Sequence, residues 1–208
     1  PDPGIENAVT FGLEYNPNLR VTLQELWLPN DEFDPVHPVR LGAKVFDHNA
    51  ADLDKLRQLH DLYFKSIDDE VIRINTKLGK TVLYVVPVGQ AMLALREKIA
   101  KGAVPGITSQ EDLFTDGFGH VRAPAELLNG YCHYAVIYRA SPVGLALPPK
   151  YAEATNLISG VINIGGKLSP STNSAPETDP QTNAKLNRLL QELAWDAVTH
   201  HPLSGVKP

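Results

Sequence analysis

One cysteine, Cys132, stands alone in 208 residues. It excludes an internal disulfide framework and any zinc site built on several thiolates. Long apolar runs are also missing. No stretch approaches the roughly 18–20 residues that a helical membrane span needs, so no membrane partner is expected. Basic residues are in deficit, with 19 Lys+Arg against 24 Asp+Glu and a formal charge of −5. No basic stripe offers the electrostatic footprint of a nucleic-acid binder, and no nucleic-acid partner is expected. Aromatic residues make up 7%. What is there in ordinary amount is apolar residue, 43% against 21% charged, enough for a single domain with a real core.

Proline and glycine are somewhat abundant, 17 and 15 residues, and mark many loops. Pro1-Asp2-Pro3-Gly4 reads as loop, and the N-terminal loop is expected to cover residues 1–19. Residues 20–28 (RVTLQELWL) read as a mostly buried strand ended by Pro29. An acidic loop follows, Asn30 to Asp47, with His37 inside it. Asn49 is placed to open a long helix, with Asp52 in its first turn. Leu53, Leu56, Leu59, Tyr63, Ile67, Val71 and Ile74 recur every three or four positions up to Gly79. Thr81–Val88 (TVLYVVPV) is a continuous β-branched run suited to a strand covered on both faces. Gln90–Lys101 reads as helix, residues 102–121 as loop, and Ala123–Tyr138 as helix. Residues 158–164 (ISGVINI) are a candidate extra strand. Residues 168–178 read as a flexible surface loop. Asp179 as cap and Pro180 at the first helical position start a last helix over 179–201. This alternation predicts one α/β domain over 1–208 with a short parallel sheet.

The chemistry concentrates in Asp116-Gly117-Phe118-Gly119-His120. An Asp that accepts from one imidazole nitrogen fixes the tautomer and leaves the other nitrogen able to take a proton. Gly117 and Gly119 permit the backbone angles that turn the two side chains toward each other. Asp116 and His120 are therefore the candidate catalytic residues, as orienter and general base. The bland alternative is a turn-starting Asp beside a solvated His.

The block LFTDGFGHVRAPAELLNGYCHYAVIY, followed by SPVGL, resembles the last block of the SGNH (GDSL-like) hydrolases. VLYVVPVGQAMLALREKI and NPNLRVTLQELWLP resemble the strand–helix units before it, and LLQELAWDAVTHHPLSGV the tail of such proteins. The resemblance implies a three-layer, flavodoxin-like sandwich that is incomplete at its N-terminus. It also implies a serine esterase acting on carboxylic or acetyl esters of carbohydrates, with no cofactor. The family spaces its pair Asp-x-x-His, whereas here it is Asp-x-x-x-His. The family's serine block and oxyanion donors have no counterpart. Ser66, Ser109, Ser141, Ser159, Ser169, Ser171, Ser174 and Ser204 lack the strand–Ser–helix elbow. A parallel sheet short of central strands exposes apolar edges. Association with a missing N-terminal segment or with another copy is therefore expected.

Three alternatives remain open. One is a catalytically silent carbohydrate-binding or assembly module. Another is a metal-dependent protein using His37, His48 and His60 with Asp31, Glu32 and Asp34. An aromatic sugar platform of Trp27, Phe33, Tyr131 and Tyr134 is the third. His200 and His201 are expected to interact with the last carbonyls of the final helix. His133 and Cys132 read as helix residues turned inward.

Overall fold

The computed structural model describes residues 3–32, 47–148, 151, 160–162, 168–170 and 179–207. Its chain order begins with a helix where a loop is expected. Helix α1 runs Pro3–Tyr15, which corrects the reading of residues 1–19. Pro3 occupies the first helical position, where a missing N–H costs nothing, and Glu6 lies favourably in the first turn. Ile5, Val9 and Leu13 then recur at four-residue spacing and pack against Val71 and Ile74, with Val9 buried. Burial of that stripe decides the outcome over the Pro/Gly signal.

Strand β1 (Val21–Gln24) pairs in parallel with β2 (Leu83–Val86), in the register Val21↔Leu83 to Gln24↔Val86. Between them comes α2 (Leu53–Leu78). Asn49 does not open it. Asp47 caps a separate 3₁₀ turn, His48–Ala50, and Asp52 caps α2 by accepting from the backbone N–H groups of Asp54 and Lys55. Gly79 ends α2 in the left-handed conformation at φ 65°. Helix α3 (Val88–Ala100) follows β2 directly, and a 3₁₀ turn at Gln110–Leu113 leads to α4 (Ala123–Tyr138). Arg139, also left-handed, stops α4 before Ser141-Pro142. Strand β3 (Gly160–Ile162) falls in the candidate strand 158–164. It pairs antiparallel with β4 (Leu168–Pro170), so these three residues are strand where loop is expected; 171–178 lie outside the described residues. Helix α5 (Pro180–His200) is capped by the Asp179 side chain.

Among the described residues the architecture is a mixed α/β fold with five helices of 13 residues or more, a two-stranded parallel sheet and a separate two-stranded pair. Alternate side chains of β2 enter two apolar clusters. Leu83 and Val85 join α1 and α2, while Val86 joins α3, α4 and α5. Asn75 closes the α2–β2 connection. Its Oδ1 accepts from the N–H groups of Val82 and Leu83, and its Nδ2 donates to Leu83 O. Among the described residues β1 has one strand neighbour. Its Val21 N–H and the following Glu25 N–H donate toward Val82 and Val86. By strand alternation, the backbone groups of Thr22 and Gln24 face the other edge.

Candidate functional site

The Asp116–His120 loop is a hairpin turn. Phe114 and Val121 form a β-bridge, and Thr115 N–H donates to His120 O at 2.7 Å. Residues 116–119 make the connection, with Gly119 at φ +89°. A side chain at 119 has no room, because a Cβ there would stand 2.8 Å from Pro29 Cβ. His120 Nδ1 lies 2.5 Å from Asp116 Oδ2, and Asp116 Oδ1 accepts from the N–H groups of Phe118 and His120.

Burial raises the Asp116 carboxyl. The hydrogen bonds from the His120 ring and from the two backbone N–H groups outweigh it and hold the group below the usual aspartate value. The His120 side chain is 76% exposed and Asp116 37%. Nδ1 faces the carboxylate while the rest of the side chain is largely exposed, a geometry that would let Nε2 act as a base in the Nδ1–H tautomer.

The turn is fastened to the end of β1. Just beyond that strand, Trp27 Nε1 donates to Gly119 O at 2.9 Å. His48 is fully buried, with Nδ1 2.9 Å from Pro29 O and Nε2 2.9 Å from Asp116 O. Its ring stacks on Phe114 at 4.1 Å. Beneath it the buried Arg96 guanidinium donates to Gln110 Oε1 and to the carbonyls of Leu28, Pro29 and His48. Burial pulls the Arg96 pKa down to about 10, against the pull of Asp31 and Glu111. The pair therefore sits by the carboxyl end of a parallel strand, where open α/β folds place ligands.

Four serines have hydrogen-bond partners other than His120. Ser66 Oγ donates to Tyr63 O, Ser109 Oγ pairs with Asn49, Ser141 Oγ accepts from Val143 N–H, and Ser204 Oγ accepts from Val206 N–H. Ser159, Ser171 and Ser174 lie outside the described residues, as do Phe33 and His37. His48 and His60 do not form a metal centre with one another. The His48 ring nitrogens face carbonyl oxygens, and His60 Nε2 accepts Leu28 N–H at 2.8 Å. Of the described aromatic residues, Tyr131 and Tyr134 line one cavity, while Trp27 is not among its lining residues. Tyr131 is buried with its hydroxyl on Asn187, and Trp27 is tied to Gly119. Tyr134 lines a largely apolar cavity of about 480 Å³ with Leu127, Leu145 and Tyr151. His200 Nδ1 meets Asp196 O as a helix-end histidine should.

His201 does something else. It caps α5, yet its Nε2 lies 3.3 Å from Glu25 Oε1 and 3.5 Å from Asp68 Oδ1. Gln90 Nε2 donates to both Glu25 oxygens. Burial raises the Glu25 pKa, opposed by His201 and Gln90, and burial raises that of Asp68 as well. Asp68 and Gln90 also line a cavity of about 450 Å³ with Arg57, Asp61 and Glu97. The three donor groups are close enough for a metal ion. The imidazole argues against one, because His201 Nδ1 accepts Leu203 N–H at 3.2 Å. That places the ring proton on Nε2, facing the carboxylates as a donor rather than a ligand. No local sequence signal announces this cluster, since Glu25 follows β1, Asp68 lies in α2 and His201 follows α5.

No family model, curated protein or solved structure matches this chain.

Proposed function

We propose that this chain carries the base and orienter of an SGNH-type ester hydrolase acting on carboxylic or acetyl esters of carbohydrates. The observation that supports the reading is the 2.5 Å contact between His120 Nδ1 and Asp116 Oδ2, with the His120 side chain largely exposed beside the end of β1. In the reaction, His120 Nε2 takes the proton of a serine hydroxyl as that oxygen attacks the ester carbonyl. It then returns the proton to the leaving alkoxide. Asp116 holds the ring and stabilises the imidazolium.

The hydroxyl and the oxyanion donors come, in this proposal, from a segment that adds to the Thr22–Gln24 edge of β1. That segment belongs to the same longer protein or to a second copy. Its addition would extend the sheet toward a three-layer sandwich. The test is hydrolysis of p-nitrophenyl acetate by the protein with that completing segment present, with His120 intact and as His120→Ala. Loss of the base lowers the rate by roughly 10²–10⁴-fold. Equal rates above background overturn the proposal.

A second reading is favoured by the four serines whose hydroxyls engage partners other than His120. Here the chain is a binding or assembly module with a hydrolase architecture. Titration calorimetry with acetylated and plain oligosaccharides tests it. Heat of binding without esterase activity supports the module, and no response to either sugar counts against the sugar-binding form.

A further inference from the structure

We infer that His48, with Trp27 at the opposite end of the turn, is a positioning residue for the Asp116–His120 pair. The inference rests on the hydrolase reading for its functional meaning, but its geometry stands separately. His48 is read from sequence as a candidate metal ligand. Its surroundings assign it another task.

The ring is held from several directions. Its own backbone N–H donates to Glu111, and its carbonyl accepts from Arg96. The ring stacks on Phe114, inclined by 28°, at the residue where the hairpin closes. From that seat its two nitrogens face two carbonyls of different segments, Pro29 O beyond β1 and Asp116 O in the turn, and the Nε2–H tautomer donates to Asp116 O. A phenylalanine would fill the same space and keep the stack, but it has nothing to offer either oxygen. The polar edges of the ring, rather than its bulk, therefore address the turn.

Asp116 O is carried by the carbonyl carbon bonded directly to the Cα that aims the carboxylate at His120. If that carbonyl swings, the Asp116 side chain swings with it, and a 2.5 Å contact tolerates little displacement. At the far end Trp27 Nε1 holds Gly119 O, next to the Cα of His120. The two ties fix both ends of the four-residue connection. His48 acts on the base through Asp116 and touches no reacting atom.

The test uses the full chain with His48→Phe, read by two nuclear magnetic resonance signals. Imidazole ¹⁵N shifts of His120 report which ring nitrogen carries the proton, and the Asp116 carboxyl carbon reports that group's titration. In the unchanged protein His120 is held as the Nδ1–H tautomer and Asp116 titrates below the ordinary value. In His48→Phe the tautomer preference relaxes, and the Asp116 midpoint rises toward the ordinary aspartate value. A folded His48→Phe protein with both signals unchanged overturns the inference. If that variant does not fold, Trp27→Phe read by the same signals decides, with the same two outcomes. A failed esterase assay leaves these signals untouched, so the positioning role and the hydrolase reading fail separately.

Discussion

The Glu25 carboxylate meets His201 Nε2 at 3.3 Å with both side chains shut away from water. Burial dominates there and raises the Glu25 pKa above its ordinary 4.5, although His201 and Gln90 both pull it down. A carboxyl raised on folding binds its proton more tightly in the native state. Its contribution to stability therefore declines as pH rises from about 4.5 through the raised native value, and is level beyond. Glu25→Gln removes the titration. Its melting temperature relative to the parent should climb across that interval and then hold a constant offset. Thermal scans from pH 4 to pH 8 check this, and a gap independent of pH rules it out.

His60 has the opposite sign. Burial, with a smaller push from Arg96, lowers its pKa from 6.5 to about 4. Its neutral form accepts Leu28 N–H. The associated stability is complete above pH 6.5 and is lost as pH falls toward 4, by about 3 kcal/mol. His60→Gln keeps an acceptor for Leu28 without a proton to gain. Urea unfolding at pH 7.5, 5.5 and 4 should show a flatter acid limb for the variant.

Gly119→Ala combines a positive φ with a Cβ pressed on Pro29. The expected destabilisation is about 1–3 kcal/mol, accompanied by loss of the Asp116–His120 contact. Thermal unfolding and the His120 ¹⁵N shifts measure the two effects. A variant of unchanged stability that keeps the pair shows that the turn has slack.

Asn75→Ala strips the partner from the Val82 and Leu83 N–H groups at the entry to β2. Two donors left without an acceptor cost on the order of 2 kcal/mol or more. Asn75→Asp, which keeps an acceptor oxygen, should recover much of that loss. Chemical denaturation of the three proteins side by side decides whether the side chain supports the α2–β2 junction.

The legible parts of the fold were those with repeating local signals. The Leu53-to-Ile74 stripe and the β-branched run at 81–88 place α2 and β2 within a few residues, and Asp179-Pro180 marks the start of α5. The Asp116–His120 contact was legible because both partners lie in one turn with a glycine where the backbone needs it. Helix α1 was obscured because Pro3 and Gly4 were weighed above the Ile5–Val9–Leu13 stripe. The Glu25–Asp68–His201 cluster had no such signal, as it depends on how β1, α2 and α5 come together. His48 was noticed for its imidazole, but its role follows from two carbonyls that a list of side chains does not contain.

Arg96 addresses main-chain oxygens at 28, 29 and 48, and one amide side chain at 110. Such oxygens are the same whatever residue bears them. The cation thus constrains the route of the polypeptide rather than its lettering. Side chains on these strand-exit segments are free to be exchanged for new specificity, provided the path that offers the carbonyls is kept. An insertion between 28 and 30 would breach that condition, whereas a replacement of Leu28 need not.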